Sequence, residues 1–312
     1  MGGSITYGSH ASTPALSYVG LTHAWIPTQK VGFALENTIN AGIGGTSSWY
    51  GLIRLQTDVL AYSPKVICLD WIANDSTTSF WQRSGEALVR RIRAALPDAK
   101  IVFLGFTGVA DVAVDDATNT RPTQVINWKA ICAHYGIAYI DYAAALYQKV
   151  NVDGEMLSDY MYDTVHPTDA GHQLAHELVR STILNAFTGS LLPALPARLY
   201  DCEDFEAAPI DRTADGHDGV TGTWSASGTD MVSSEANATI SFTDTFVSCG
   251  LAYDQSGVIQ YSLDGGAYSS NLDLTAVGRA RELITSIVAK VEHTFTVKVI
   301  SGTVTIQRFL AI

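Results

Sequence analysis

Little in this sequence suits a membrane, a metal cluster or a nucleic acid. No apolar run reaches the roughly 18 residues that a membrane helix needs. Four cysteines stand in 312 residues, Cys68, Cys132, Cys202 and Cys249, and none is in a CxxC spacing, which argues against a zinc or redox centre. Cys68 and Cys132 fall in apolar segments and read as buried thiols, whereas Cys202 and Cys249 could pair if the fold brings them close. Charged residues make up only 16% of the chain, the net charge is −12, and no lysine and arginine cluster stands out. Attraction to nucleic acid or to an anionic membrane by counterion release is therefore not expected, and the partner should be neutral or small. The start, Met1-Gly2-Gly3-Ser4, has neither a basic nor an apolar region, so this form of the chain is expected to lack a secretory signal.

What is present is apolar surface in quantity. Hydrophobic residues make up 47% of the chain, enough for two cores at this length. Up to about residue 187, short β-rich runs alternate with helical patterns, the signature of a parallel sheet covered by helices. Residues 65–71 (KVICLDW), 100–106 (KIVFLGF) and 137–141 (IAYID) are apolar runs of the buried-strand kind. Helices are expected over 80–96, over 122–135 with Pro122 in the first turn and Gly136 as left-handed cap, and over 168–187 with Thr168 or Asp169 as N-cap. The stretch 189–198 (GSLLPALPAR) carries two prolines and no charge before its last residue. It places a linker at 188–199, between a first domain at 1–187 and a second at 200–312. After it, apolar and polar residues alternate, and Asp264-Gly265-Gly266 is a hairpin signal. The second domain is expected to be an antiparallel β-sandwich of jelly-roll type. Residues 279–290 (RARELITSIVAK) could be helical on composition, although their β-branched centre favours a strand. This domain carries 15 acidic and 6 basic residues, so most of the net charge lies there.

Three segments converge on one chemistry. Gly2-Gly3-Ser4 sets a serine on a sterically open backbone, where substrate can approach and N–H groups stay available. In Asp163-Thr164-Val165-His166-Pro167 an Asp three residues ahead of a His can hold the imidazole Nδ1–H and aim Nε2 outward as a base. The glycine run at 40–47 (NAGIGGTS) and Asn74-Asp75, at the end of the first apolar strand, supply amide donors suited to a developing oxyanion.

Together these segments resemble the SGNH (GDSL-type) serine hydrolases over residues 1 to about 185. GGSITYG is similar to the family's first block, INAGIGGTSSWYGLIRL to its glycine block, IANDS to its GxND block and DTVHP to its DxxHP block, in order and spacing. The resemblance implies a flavodoxin-like α/β/α sandwich with Ser4 as nucleophile and first oxyanion donor, Gly45 and Asn74 as further donors, His166 as base and Asp163 as its orienter. It implies ester hydrolysis through an acyl-enzyme, with no cofactor and no metal. Three departures are visible: the block-one Asp is Gly3, the first Gly of GxND is Ile72, and only three residues precede Ser4 where the family has an apolar strand.

The appended sandwich resembles accessory domains of carbohydrate esterases, so the expected partner is a small ester or an acetylated polysaccharide. Lipase or thioesterase activity in the same family is the nearest alternative. A catalytically impaired polysaccharide-binding or structural protein, such as part of a phage tail or secreted appendage, is the rival from another class; either setting is extracellular or virion-associated. Other residues carry less. His172 and His176 stand at i, i+4 without the Glu of a zincin motif and read as structural, and no partner is visible for His10, His23, His134, His217 or His293. Asp211, Asp215 and Asp218 fit no EF-hand spacing. Trp224, Tyr253, Tyr261 and Tyr268 could stack on sugar rings, but aromatics of β-domains are more often core.

Overall fold

Strands β1 (Val66–Leu69), β2 (Lys100–Gly105) and β3 (Ala138–Asp141) pair in parallel in the order β1-β2-β3. Central β2 is covered on both faces, which is why its sequence is apolar without alternation. Val102 and Leu104 meet Tyr18, Leu174, Ala175 and Val179 on one side, and Phe103 stacks on Trp128 at 4.1 Å on the other. The helices are α1 (Ser4–Tyr7), α2 (Tyr18–Trp25), α3 (Ser48–Ile53), α4 (Leu55–Asp58), α5 (Ser79–Ala95), α6 (Thr123–Tyr135), α7 (Tyr142–Tyr147), α8 (Leu157–Tyr160) and α9 (Asp169–Thr188). This computed structural model describes residues 1–26, 38–76, 78–106, 123–188, 194–254, 256–275, 281–285 and 288–312, with the side chains of 186–188 and 281–283 left aside. The chain forms two units, Met1–Cys202 and Glu203–Ile312.

The strand expected ahead of Ser4 is present in reduced form. Gly2 bridges in parallel to Asp70, just past β1, and to Gly42 on its other side. Asp70 N–H donates to Met1 O at 3.2 Å, Gly3 N–H to Asp70 O at 3.1 Å and Ile43 N–H to Gly2 O at 3.0 Å. In space the order is residue 42, residue 2, β1, β2, β3. This is the 2-1-3-4-5 order of a flavodoxin-like sheet, with its first two strands shrunk to single bridges. Ligands of such sheets bind beyond the carboxyl ends of the strands, where Ser4, Asn74 and the loop after β3 lie in sequence.

The caps follow the expected chemistry. Thr168 is the N-cap of α9, its Oγ1 accepting from Gly171 N–H at 3.2 Å, and Gly136 takes φ +67° after α6 while Ile137 N–H closes on Cys132 O at 2.8 Å. Pro122 and positions 189–193 of the proline-rich stretch lie outside the described residues. The stretch that follows is tied down. Arg90 donates to Pro196 O at 2.8 Å, His134 Nε2 meets Ala197 O at 2.7 Å, and the Glu86 carboxylate accepts from the N–H groups of Leu199 and Tyr200 at 2.5 and 2.6 Å. Tyr135 OH completes the set at 2.5 Å from Glu86, which is fully buried.

The second unit holds β4 (Ile210–Thr213), β5 (Gly219–Thr221), β6 (Ser225–Ser227), β7 (Asp230–Ser233), β8 (Thr239–Phe246), β9 (Cys249–Tyr253), β10 (Val258–Leu263), β11 (Leu272–Asp273), β12 (Arg281–Thr285), β13 (Val291–Ser301) and β14 (Val304–Ala311). One sheet runs β11-β10-β13-β8-β5 and the other β12-β9-β14-β7-β6, with β4 also pairing β14. Strand β13 shows the period of two expected of a sandwich: His293, Phe295, Val297 and Val299 are buried and their neighbours are not. Phe295 and Phe242 pack with Phe309 of β14, ring centroids 5.9 and 5.0 Å apart. Within the ambiguous stretch at 279–290, residues 281–285 are strand. All four cysteines are free thiols.

Candidate active site

Helix α1 starts where Gly3 N–H is held by Asp70 O, and it stops after one turn because Gly8 turns left-handed at φ +98°. Ser4 is its first residue, so the Ser4 N–H belongs to the opening turn that no helical carbonyl uses. Thr6 faces inward, its Oγ1 donating to Asp70 Oδ2 at 3.1 Å and accepting from Tyr18 OH at 2.7 Å. Burial pushes the Asp70 carboxyl up to about 7, against the hydrogen bond from Thr6.

The loop carrying His166 is fixed by its own short contacts. Tyr162 N–H donates to His166 O at 2.9 Å, and Thr168 N–H to Tyr160 O at 3.0 Å. Asp163 Oδ1 accepts the N–H groups of Val165 and His166, both at 2.7 Å, while its Oδ2 lies 2.8 Å from His166 Nδ1. Partial burial raises this carboxyl, but the backbone N–H and imidazole of His166, with Val165 N–H, overcome it and hold Asp163 at about 2. His166 Nε2 lies 2.9 Å from Ser4 Oγ. Serine, imidazole and carboxylate thus form one hydrogen-bonded series. Nδ1–H directed to an ionised carboxylate leaves Nε2 free to accept a proton from Oγ.

The opposite flank is built from glycines and a buried carboxylate. A Cβ on Gly42 would come within 2.2 Å of Tyr7 N, so only glycine lets this segment lie against the α1 backbone. A Cβ on Gly44 would stand 3.8 Å from Ser4 Cβ, and Gly45 takes φ +69°. The glycine block therefore runs beside the serine. Asn74 lies in a turn whose N–H returns to Trp71 O at 2.9 Å. Its neighbour Asp75 is buried, accepting Ser48 N–H at 2.9 Å and the Trp128 indole N–H at 3.0 Å. Burial raises this carboxyl to about 7 in spite of those donors. A Cβ on Gly3 would be 2.3 Å from Asn74 Oδ1. Here lies the physical meaning of the departure in block one: the amide of Asn74 occupies the space a side chain at position 3 would need.

Of the residues singled out from the sequence, Ser4, Asp163 and His166 meet directly, and Asn74 reaches the same backbone through Gly3. His172 and His176 are buried ties from α9 to α2 and to the loop after α1, His172 to Tyr18 N–H at 3.3 Å and Ser9 O at 3.2 Å, His176 to Thr22 Oγ1 at 3.0 Å. In the second unit Asp211 pairs with Arg308 and Asp218 with Arg212. Tyr253 is buried, Trp224 and Tyr261 pack on the core, and the Lys298 ammonium sits 3.8 Å over the half-exposed Tyr268 ring. One residue beside the base carries no sequence signal: His10 stacks on Tyr162 at 4.1 Å and its ring stands 4.9 Å from that of His166. No spacing pattern links position 10 to position 163.

A model of the GDSL-like lipase/acylhydrolase family matches residues 1–174. No curated protein sequence matches the chain significantly. Among solved structures, a two-domain esterase active on acetylated mannans, co-crystallised with mannopentaose, has 21% identity and a TM-score of 0.82, covering 99% of this chain and 88% of that one. A second structure of a two-domain esterase active on acetylated mannans gives 0.80, with 21% identity, 99% and 90% coverage. These likenesses describe the fold.

Proposed function

Because this chain belongs to the GDSL-like lipase/acylhydrolase family and is an ester-hydrolysing enzyme, we propose that Ser4, His166 and Asp163 carry its reaction through an acyl-enzyme. The observation that supports this most is the unbroken series Asp163 Oδ2, His166 Nδ1, His166 Nε2, Ser4 Oγ at 2.8 and 2.9 Å. Ser4 Oγ adds to the ester carbonyl as its proton passes to His166 Nε2. The tetrahedral oxyanion is held by Ser4 N–H, Gly45 N–H and the Asn74 amide. As the C–O bond to the alcohol breaks, His166 returns the proton to that alcohol and an acyl-serine remains. Water, deprotonated by His166, adds to the acyl carbon, and cleavage of the bond to Oγ releases the acid and reprotonates Ser4. Asp163, ionised far below neutral pH, keeps Nδ1–H in place and stabilises the imidazolium.

The substrate we assign is an O-acetyl group on a polysaccharide. The support is the pairing of this hydrolase fold with a β-sandwich along nearly the full length of an esterase active on acetylated mannans. Activity on p-nitrophenyl acetate, absent in Ser4→Ala, tests the reaction; acetate release from acetylated mannan tests the substrate. The sandwich is then expected to raise local polymer concentration. A chain ending at Cys202, which keeps Leu199 and Tyr200 on Glu86, should retain kcat/KM on the small ester and lose it on the polymer. Equal activity on both would remove the sandwich from substrate recognition.

A further inference from the structure

The side of Asp163 turned away from its backbone donors is shared by two histidines. His166 Nδ1 lies 2.8 Å from Asp163 Oδ2 and His10 Nε2 lies 3.9 Å from the same oxygen. One ligand atom from each of His10, Asp163 and His166 lies within 4.8 Å of the others, and among the described residues this is the one such group of three. The side chains of His10 and Asp163 are 35% and 41% exposed, so an ion in solution can reach them.

His10 is held there by the fold. Ser9 O accepts from His172 Nε2–H at 3.2 Å, and Ser12 donates its N–H and hydroxyl to Asp169 at 2.8 and 2.6 Å. Between these anchors His10 takes φ +64°, a left-handed conformation uncommon for a residue with a side chain. The proposed acyl transfer needs only one imidazole on Asp163.

Two imidazoles and a carboxylate are a donor set suited to a borderline divalent ion, which binds nitrogen at about 2.0–2.1 Å and carboxylate oxygen at about 2.0–2.2 Å. Ligand atoms on such an ion sit roughly 3.3–3.5 Å apart. The 3.9 Å between His10 Nε2 and Asp163 Oδ2 is close to that, and His166 Nδ1 needs only to move outward from its present hydrogen bond. We propose that His10, Asp163 and His166 form a site for one divalent transition-metal ion, with Zn²⁺ as its test case, and that filling it reversibly stops ester hydrolysis. The ion takes Asp163 Oδ2 and the Nδ1 lone pair of His166 in place of the Nδ1–H bond, and the imidazole proton passes through solvent from Nδ1 to Nε2. His166 Nε2, now carrying that proton, no longer accepts from Ser4. The loss of activity rests on the roles proposed for Ser4 and His166, but the binding does not.

The experiment separates them. Zinc chloride is titrated calorimetrically into the full-length Ser4→Ala chain and into Ser4→Ala/His10→Gln. One equivalent should bind the first. Because partners outside a ligand set already change metal affinity about 10- to 100-fold, loss of the His10 ligand should weaken binding at least about tenfold. In parallel, the rate on p-nitrophenyl acetate is measured with and without zinc for wild type and His10→Gln, each as its own ratio. The wild-type rate should fall and return with EDTA, while the His10→Gln ratio stays near one at the same zinc concentration. Absence of binding to Ser4→Ala, or equal affinity with and without His10, overturns the site. Equal inhibition of both active proteins overturns it too, since the ion then acts elsewhere or on His166 alone. Binding as expected in a protein with no measurable esterase activity would leave the metal site standing and contradict the proposed reaction instead.

Discussion

On its base side Ser4 meets His166, whose partner Asp163 is three residues away in the chain and 41% exposed. On the other side it meets the glycine block and, through Gly3, Asn74. The Asn74 turn is anchored by Asp75, which is buried and bonded to residues 27 and 53 positions distant. The first flank is a local loop in contact with water; the second is a long-range assembly anchored on a buried carboxylate. The same residue type behaves oppositely in the two places. Short backbone donors hold exposed Asp163 near 2, whereas desolvation lifts Asp70 and Asp75 to about 7. A base that must accept and release protons gains from the wet, ionised flank, and donors that must not move during charge development gain from a buried anchor behind them.

The sharpest break in this comparison comes on the base side. Ser4→Ala, His166→Ala and the double variant should each lose about 10⁴- to 10⁶-fold in kcat and lose it together, because a base without its nucleophile has nothing to activate. Steady-state rates whose losses multiplied in the double variant would show that the two side chains do not act as a unit. On the oxyanion side, Asn74→Ala should lower kcat about 10²- to 10³-fold with little change in KM. A change confined to KM would make Asn74 a substrate contact.

Gly3→Asp, which restores the residue of the family's first block, should reduce rather than improve turnover. Its Cβ displaces the Asn74 amide, and misplacement by about 1 Å can cost about 10²-fold. Gly3→Asp combined with Asn74→Ala should then be no slower than Asn74→Ala alone. An increase in kcat on introducing the aspartate would refute the steric account of Gly3.

The smallest effect is on stability against pH. A depressed carboxyl such as Asp163 adds stability above its unfolded value of about 3.9, and that is lost as pH falls toward 2. A raised carboxyl acts in the opposite sense. As pH climbs from about 4 through 7, the unfolded chain releases a proton that Asp70 and Asp75 retain, so the folded state loses ground. Thermal unfolding should therefore show stability declining over that range, and Asp70→Asn should flatten the decline. An unchanged slope would mean that Asp70 is already ionised in its buried place.

The short motifs of both flanks were legible. The Asp163 to His166 spacing, the glycine run and the Asn-Asp pair each draw on a few neighbouring residues, and the apolar runs marked the three parallel strands. The contacts that anchor them were not legible: that Asp75 would lie on Ser48 and Trp128, that Glu86 would take the N–H groups of Leu199 and Tyr200, and that His10 would stand against Asp163 depend on elements meeting across the fold. The first two strands of the sheet escaped notice because each is reduced to a bridge at a glycine, too short for any alternation to show.

The central claim is that Ser4, activated by His166, is the atom that bonds to the acyl group. Treating the protein with a reactive organophosphonate and locating the adduct by peptide mass spectrometry tests this directly. One phosphonyl group per chain on the peptide containing Ser4, complete loss of ester hydrolysis, and no labelling of His166→Ala over the same interval is the expected result. An adduct on another side chain, or hydrolysis that persists once Ser4 is fully modified, would contradict it.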